Sequence, residues 1–258
     1  MHETSWHDIL GMSAIHQNQT FAALAVYGTS VITAITAQNT LNVTKIFELS
    51  AELVAAQIDA VIEDIGAHAL KTGMLANAPI IDIVAKKILQ HRLTNLVVDP
   101  VMVAKSGDLL LRKNAIEALR AHLIPLATVV TPNLPEAEEL TGMKLSTAKN
   151  IEEAARRIVD MGAKSVVIKG GHRRGPAIDL FFDGKKFRAL RSARIRSRHT
   201  HGTGCTFSAA IAACLAKGED LETSIRVAKK YITEAIRNGF DVGSGHSPVH
   251  HFYRLWKN

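Results

Sequence analysis

The stretch Asn95-Leu96-Val97-Val98-Asp99-Pro100-Val101 decides the fold class. An unbroken apolar run stopped by a carboxylate and a proline is what a strand buried on both faces looks like. Runs of the same kind recur at Ser30–Thr36, Ala67–Lys71, Thr128–Thr131 and Ser165–Lys169. Between them, Ala51–Ile65, Ala78–Gln90, Ala115–His122 and Ile151–Met161 repeat their apolar residues with helical period. Strands alternating with helices predict βαβ units and a mostly parallel sheet covered on both faces. Asp183-Gly184, set between Leu180–Phe182 and Lys185–Leu190, adds one antiparallel hairpin. The last third reads as two helices, Thr203–Lys217 and Leu221–Asn238. With neither repeat nor linker, residues 1–258 form one domain.

Composition narrows the class further. The chain has 258 residues, 47% of them hydrophobic and 21% charged, enough to bury one sizeable core. No run approaches the roughly 18 apolar residues of a membrane span. Met1–Ser13 is polar where a secretory apolar core would lie, so a soluble cytoplasmic protein is expected. Cys205 and Cys214 fall in one predicted helix, about 13 Å apart at 1.5 Å per residue, beyond disulfide reach. The net charge of +7 is spread along the chain. Its densest basic run, Arg188–Arg196, lacks interleaved aromatics and reads as a solvated strand edge, so no nucleic-acid partner is expected. The histidines do not read as zinc ligands: Pro248 interrupts His246 and His250, and no carboxylate stands near His199 and His201 at ligand spacing.

In open α/β sheets, ligands bind beyond the carboxyl ends of the strands. The polar residues there are Lys71, Asp99, Asn133, Glu136 and Lys169, followed by the turn Gly202-Thr203-Gly204-Cys205. Glycines ahead of a helix N-terminus allow close approach of an anion to unpaired N–H groups, or simply a tight entry into a packed helix. Cys205 is either a small buried hydrophobe or, at the positive end of a helix, a thiolate able to take a proton. Asp99 and Glu136 suit Mg²⁺ carrying nucleotide phosphates. Asn133 and Glu136 equally spell a capping box with Pro135 between them. Lys169 either neutralises phosphate charge or snorkels from a strand end.

Taken together, Thr20–Thr40, Ala69–Leu75, Val97–Leu111, Thr131–Gly142, Ile168–His172, His199–Ala213 and Gly243–Phe252 resemble the hydroxymethylpyrimidine/phosphomethylpyrimidine kinases of the ribokinase superfamily. The resemblance implies a three-layer α/β/α fold and an ATP- and Mg²⁺-dependent kinase of thiamine biosynthesis, acting on the pyrimidine alcohol and on its monophosphate. It implies that Gly202, Thr203 and Gly204 form an anion hole and that Cys205 is the base. It places Asp99, Asn133, Glu136 and Lys169 with Mg²⁺ and nucleotide, and Gln38, Met74 and Val101 around the pyrimidine. A homodimer is also implied. Pyridoxal kinase is the neighbouring alternative.

Residues 1–19 depart from that resemblance. The family's opening strand and glycine-rich loop are not recognisable in MHETSWHDILGMSAIHQNQ, and Gln17 stands where the family has Asp. The expectation is therefore a first strand missing or altered, through a frameshift, an alternative start or a misassembled gene model. Acceptor contacts would go with it, leaving a weakened kinase or a non-catalytic nucleotide- or pyrimidine-binding protein.

Overall fold

The computed structural model describes residues 8–12, 14–102, 113–171 and 177–256. Met1–His7, the Val103–Leu111 part of the resemblance, and His172 lie outside them. Strands β1 (Asp8–Met12) and β2 (Tyr27–Ser30) flank helix α1 (Ala14–Ala23). Then come β3 (Ala34–Gln38), β4 (Val43–Glu48), α2 (Ala51–Asp64), β5 (Ala69–Thr72), α3 (Ala78–Gln90) and β6 (Leu96–Val98). Helix α4 (Lys113–Ala118) runs on through a π turn and a 3₁₀ turn to Leu126. The remainder is β7 (Val129–Val130), α5 (Leu134–Thr141), α6 (Ala148–Asp160), β8 (Val166–Ile168), β9 (Ala177–Phe182), β10 (Phe187–Ser192), α7 (Thr203–Ala216) and α8 (Leu221–Arg237).

One sheet runs β10-β9-β8-β7-β6-β5-β1-β2, parallel from β8 to β2, with β9 and β10 antiparallel. Its strands alternate sides with period two. Leu70, Leu96, Val98, Val130 and Val166 face a core shared with α2–α6, whereas Ala69, Val97, Val129 and Val167 face α1, α7 and α8. Two buried faces make three layers, the α/β/α arrangement that the resemblance implies. Each fully buried Val or Leu contributes about 1.5–3 kcal/mol relative to exposure. Of the run Arg188–Arg196, residues 188–192 lie at a sheet edge, in the terminal strand β10, and the rest continues beyond it.

Two expectations are corrected. Of a first strand missing or altered, the missing alternative fails: β1 lies inside the sheet, paired in parallel with β2 (Asp8↔Tyr27 to Gly11↔Ser30) and with β5 (Ile9↔Ala69 to Met12↔Thr72). Asp8-Ile9-Leu10-Gly11-Met12 carries too few adjacent apolar residues to be seen as a strand from its own pattern, and its neighbours on both sides supply the order. The second failure is Ser30–Thr36, which is not one strand. It contains the end of β2, a break, and the start of β3. β3 and β4 leave the main sheet and form their own antiparallel hairpin, with a register shift between Ala37 and Gln38.

The hairpin is tied down at both ends. Thr33 Oγ1 donates to Met74 O (2.9 Å) at the end of β5. At the far end, Thr40 O accepts from His246 N (2.9 Å), and a Cβ on Gly245 would fall 2.0 Å from that oxygen. Only glycine lets the closing segment lie so near.

Candidate active site

Asp99 follows β6 and is 2% exposed. A carboxylate in that position needs partners, and it has them on every side. Lys169 Nζ donates to Oδ1 (2.9 Å), as does Thr131 Oγ1 (3.3 Å); Ser208 Oγ donates to Oδ2 (3.2 Å). Lys71 Nζ lies 3.6 Å from Oδ2 with its side chain fully buried. Burial alone would raise the Asp99 pKa; Lys169 and Lys71, with the hydrogen bonds from Lys169 and Ser208, overcome this and hold it below the usual carboxylate value. Burial would likewise lower Lys169, but Asp99 and Glu136 keep it well above the ordinary lysine value. Sequence reading assigned Lys71 no role. The alternation of β5 is the signal that could have found it, since it turns Lys71 to the same side as Ala69, toward α7.

Asn133 and Glu136 realise the capping box. Glu136 N donates to Asn133 Oδ1 (2.9 Å) and Asn133 N to Glu136 Oε2 (2.7 Å), with Pro135 between. Glu136 remains a site residue as well, 3.9 Å from Lys169. Burial pushes its carboxyl up to about 7, against the pull of Lys169.

Gly202 caps α7 at φ +78°, a conformation that L side chains resist, and Gly204 lies so close that a Cβ would be 3.3 Å from Lys169 Nζ and 3.9 Å from Asp99 Oδ2. The helix N-terminus therefore opens directly onto the buried charges. Cys205 occupies the first turn of α7, as expected, but its thiol is not poised as thiolate. Burial pushes it above its ordinary value; Lys71 and Lys169 oppose this, and Asp99 and Glu136 reinforce it. Desolvation outweighs the favourable position at the helix start.

One cleft of about 470 Å³ receives Gln38, Met74, Asp99, Val101, Asn133, Glu136, Lys169, Gly202, Thr203, Gly204 and Cys205 together. The β3–β4 hairpin forms one wall: Thr36, Gln38 and Val43 face inward. The other end is lined by α8 (Ile232, Thr233, Ile236) and by Arg194 and Ile195 beyond β10. Asp179 and Lys229 pair there at 2.7 Å, and Asp179 also accepts from Gly170 N (2.9 Å). Within the divergent segment, His16 of α1 lines the cleft, whereas Gln17 is buried. His199 does have a carboxylate partner, Asp241 at 2.7 Å, which lies too far along the chain to be seen by spacing.

Among the described residues, no three His, Cys, Asp or Glu side chains converge to hold a metal. Mg²⁺ prefers a different arrangement, one or two carboxylates with water and substrate phosphates completing the octahedron. Glu136 Oε1, which has no hydrogen-bond partner among the described residues, and the ionised Asp99 fit that mode.

The sequence profile of a family described as phosphomethylpyrimidine kinase matches residues 18–250. The hydroxymethylpyrimidine/phosphomethylpyrimidine kinase of Bacillus subtilis (strain 168) is 47% identical over 236 residues, covering 91% of this chain and 87% of that protein. The phosphomethylpyrimidine kinase structure from Clostridium difficile 630 superposes with a TM-score of 0.79 at 39% identity, covering 89% of this chain and 98% of that one. An ADP complex of Bacillus subtilis pyridoxal kinase superposes with a TM-score of 0.90 at 38% identity, covering 97% and 100%.

Proposed function

The chain belongs to the phosphomethylpyrimidine kinase family, and we infer that it uses ATP to phosphorylate 4-amino-5-hydroxymethyl-2-methylpyrimidine and then its monophosphate, in thiamine diphosphate biosynthesis. One observation carries the reading from this chain's own residues. The Gly202–Cys205 turn lies directly over the Asp99–Lys169 pair, in the same cleft as the inward face of the Gln38 hairpin.

In this reading, the amides of Gly202–Cys205 hold the transferring phosphoryl group at the start of α7. Lys169 balances its charge, and the ionised Asp99 keeps Lys169 in place. Cys205, in the fraction of molecules whose thiol has already lost its proton to solvent, takes the proton of the acceptor hydroxyl as thiolate. Gln38 hydrogen-bonds the ring, and Met74 and Val101 pack against it. Bound Mg²⁺ would neutralise nucleotide phosphate charge, held by Asp99 and Glu136 in part through water. Asn133 fixes the start of α5 and with it the direction of Glu136.

A second reading, pyridoxal kinase, is favoured by the TM-score of 0.90 with the Bacillus subtilis structure. The test is incubation with Mg-ATP and each alcohol, read by mass spectrometry. Mono- and diphosphate of the pyrimidine are expected; product from pyridoxal alone would replace the first reading by the second. ATP binding without product from either would leave only a nucleotide-binding protein.

The homodimer belongs to the same reading. Ile35 and Phe47, opposite each other on β3 and β4, are 57% and 67% exposed on the face away from the cleft. A two-stranded hairpin has little stability of its own, and a second copy covering that face would supply it. Sedimentation of Phe47→Asp should give monomer where the parent gives dimer; a parent that is itself monomeric refutes the assignment. The reading also carries a cytoplasmic location, which the two free thiols fit.

A further inference from the structure

Three imidazoles meet beside the turn that opens α7. The ring of His16 stands edge-on to His201 (centroids 4.8 Å apart, 71° between planes) and nearly parallel to His251 (5.3 Å, 22°). A Cβ on Gly202 would fall 2.7 Å from Cγ, Nδ1 and Cδ2 of His16, so the glycine leaves room for this ring. Thr206 Oγ1 hydrogen-bonds His251 Nε2 at 3.1 Å, which fixes the second ring from α7. Nδ1 of His16 is buried without a partner, and Thr20 Oγ1 donates to its carbonyl (2.6 Å). Burial first, then His201, His251 and Lys71, bring the His16 pKa down to about 3, so the ring is uncharged at neutral pH.

The same ring lines the cleft that Gln38, Met74 and Val101 line. His16 thus touches the phosphoryl-transfer turn through Gly202 and belongs to the wall of the acceptor side. A rigid, flat, neutral ring in that place suits a flat, uncharged partner. A charged side chain beside Lys71 would have to be desolvated, and a flexible one would have to be ordered on binding.

We propose that His16 is an acceptor-positioning residue: its ring packs against the heteroaromatic ring of the acceptor and sets the hydroxymethyl group over the Gly202–Cys205 turn. This rests on the kinase reading above. It also gives residues of the divergent N-terminal segment a part in substrate recognition.

The test uses full-length enzyme with whichever alcohol the parent phosphorylates, and measures kcat and the KM of acceptor and of ATP separately. His16→Ala is expected to raise the acceptor KM about tenfold and leave the ATP KM within about twofold. His16→Phe, which keeps a flat ring, should recover most of that loss. His16→Leu, which fills the space without planarity, should not. An unchanged acceptor KM in both Ala and Leu variants overturns the proposal, and so does an equal rise in both KM values, which a purely structural ring would give. If the Ala variant does not fold, the Phe and Leu pair decides alone: equal acceptor KM values overturn the assignment. A parent inactive on every alcohol defeats the kinase reading first, and the proposal with it, which is a different result from an active parent with indifferent variants.

Discussion

The two ends of the acceptor path are built on opposite principles. Beneath the Gly202–Cys205 turn, Asp99, Lys71, Lys169 and Ser208 are tied to one another at strand ends and α7, with Asp99 2% exposed. Above it, Gln38 sits exposed on a hairpin outside the main sheet, on the same inward face as Thr36. Phosphoryl transfer draws on fixed charge in a place from which water is excluded, where reorganisation costs least. Ring recognition needs only a few polar groups at an entrance that admits the substrate. Substitutions in the two regions should therefore fail differently: in the first, folding and turnover fall together, and in the second, affinity for one substrate falls alone.

The largest effect is expected at Asp99. Asp99→Asn leaves Lys71 and Lys169 facing a neutral amide in a buried setting, and removing one partner of such a pair costs about 3–5 kcal/mol. Denaturant unfolding should show that loss, with activity close to background. The depressed carboxyl pKa fixes the sign with pH: its contribution is complete at neutral pH and is lost only as pH falls below the usual carboxylate range. A variant as stable and active as the parent would remove the contrast between the two regions.

Cys205 comes next, and here chemistry separates from stability. Cys205→Ala should lower kcat by about 10²–10⁴ if the thiolate is the base, with ATP affinity by titration nearly unchanged. Because burial raises the thiol, the parent's kcat should climb as pH rises above neutral, toward a midpoint above the ordinary thiol value of about 8.5. The Ala variant should lack that climb. A climb that survives in it would assign the proton to another group.

How much of this was legible depended on whether the signal was local. The Asn95–Asp99 pattern marks its own strand, and the Asn133–Glu136 spacing marks its own capping box, because strand burial and helix capping act over a few residues. All eleven site residues inferred from the sequence meet in one cleft, a consequence of their lying beyond strand ends and at one helix start. What stayed hidden was set by distant partners. β1 is a strand because β2 and β5 pair with it, Lys71 matters because β6 brings Asp99 beside it, and β3 leaves the sheet because it pairs with β4, a departure that apolar but exposed Ile35 and Phe47 disguise.

The smallest predicted effect sharpens the contrast most, because it belongs to the exposed region alone. Gln38→Ala removes one exposed amide that helps hold no core and caps no helix, so thermal stability should stay within the ±0.5 kcal/mol typical of surface changes. A single neutral hydrogen bond to substrate corresponds to about 0.5–1.5 kcal/mol, which is at most about a tenfold rise in acceptor KM. The ATP KM should not move. Gln38→Glu then separates the two ways an amide can act: a carboxylate still accepts from an amino group but cannot donate to a ring nitrogen. If Gln38 accepts from the pyrimidine's amino group, the Glu variant keeps most of its affinity; if it donates to the ring, Glu is as poor as Ala. Loss of ATP affinity or of stability in either variant would mean that hairpin and charged floor work as one unit, and the division drawn between them would fall.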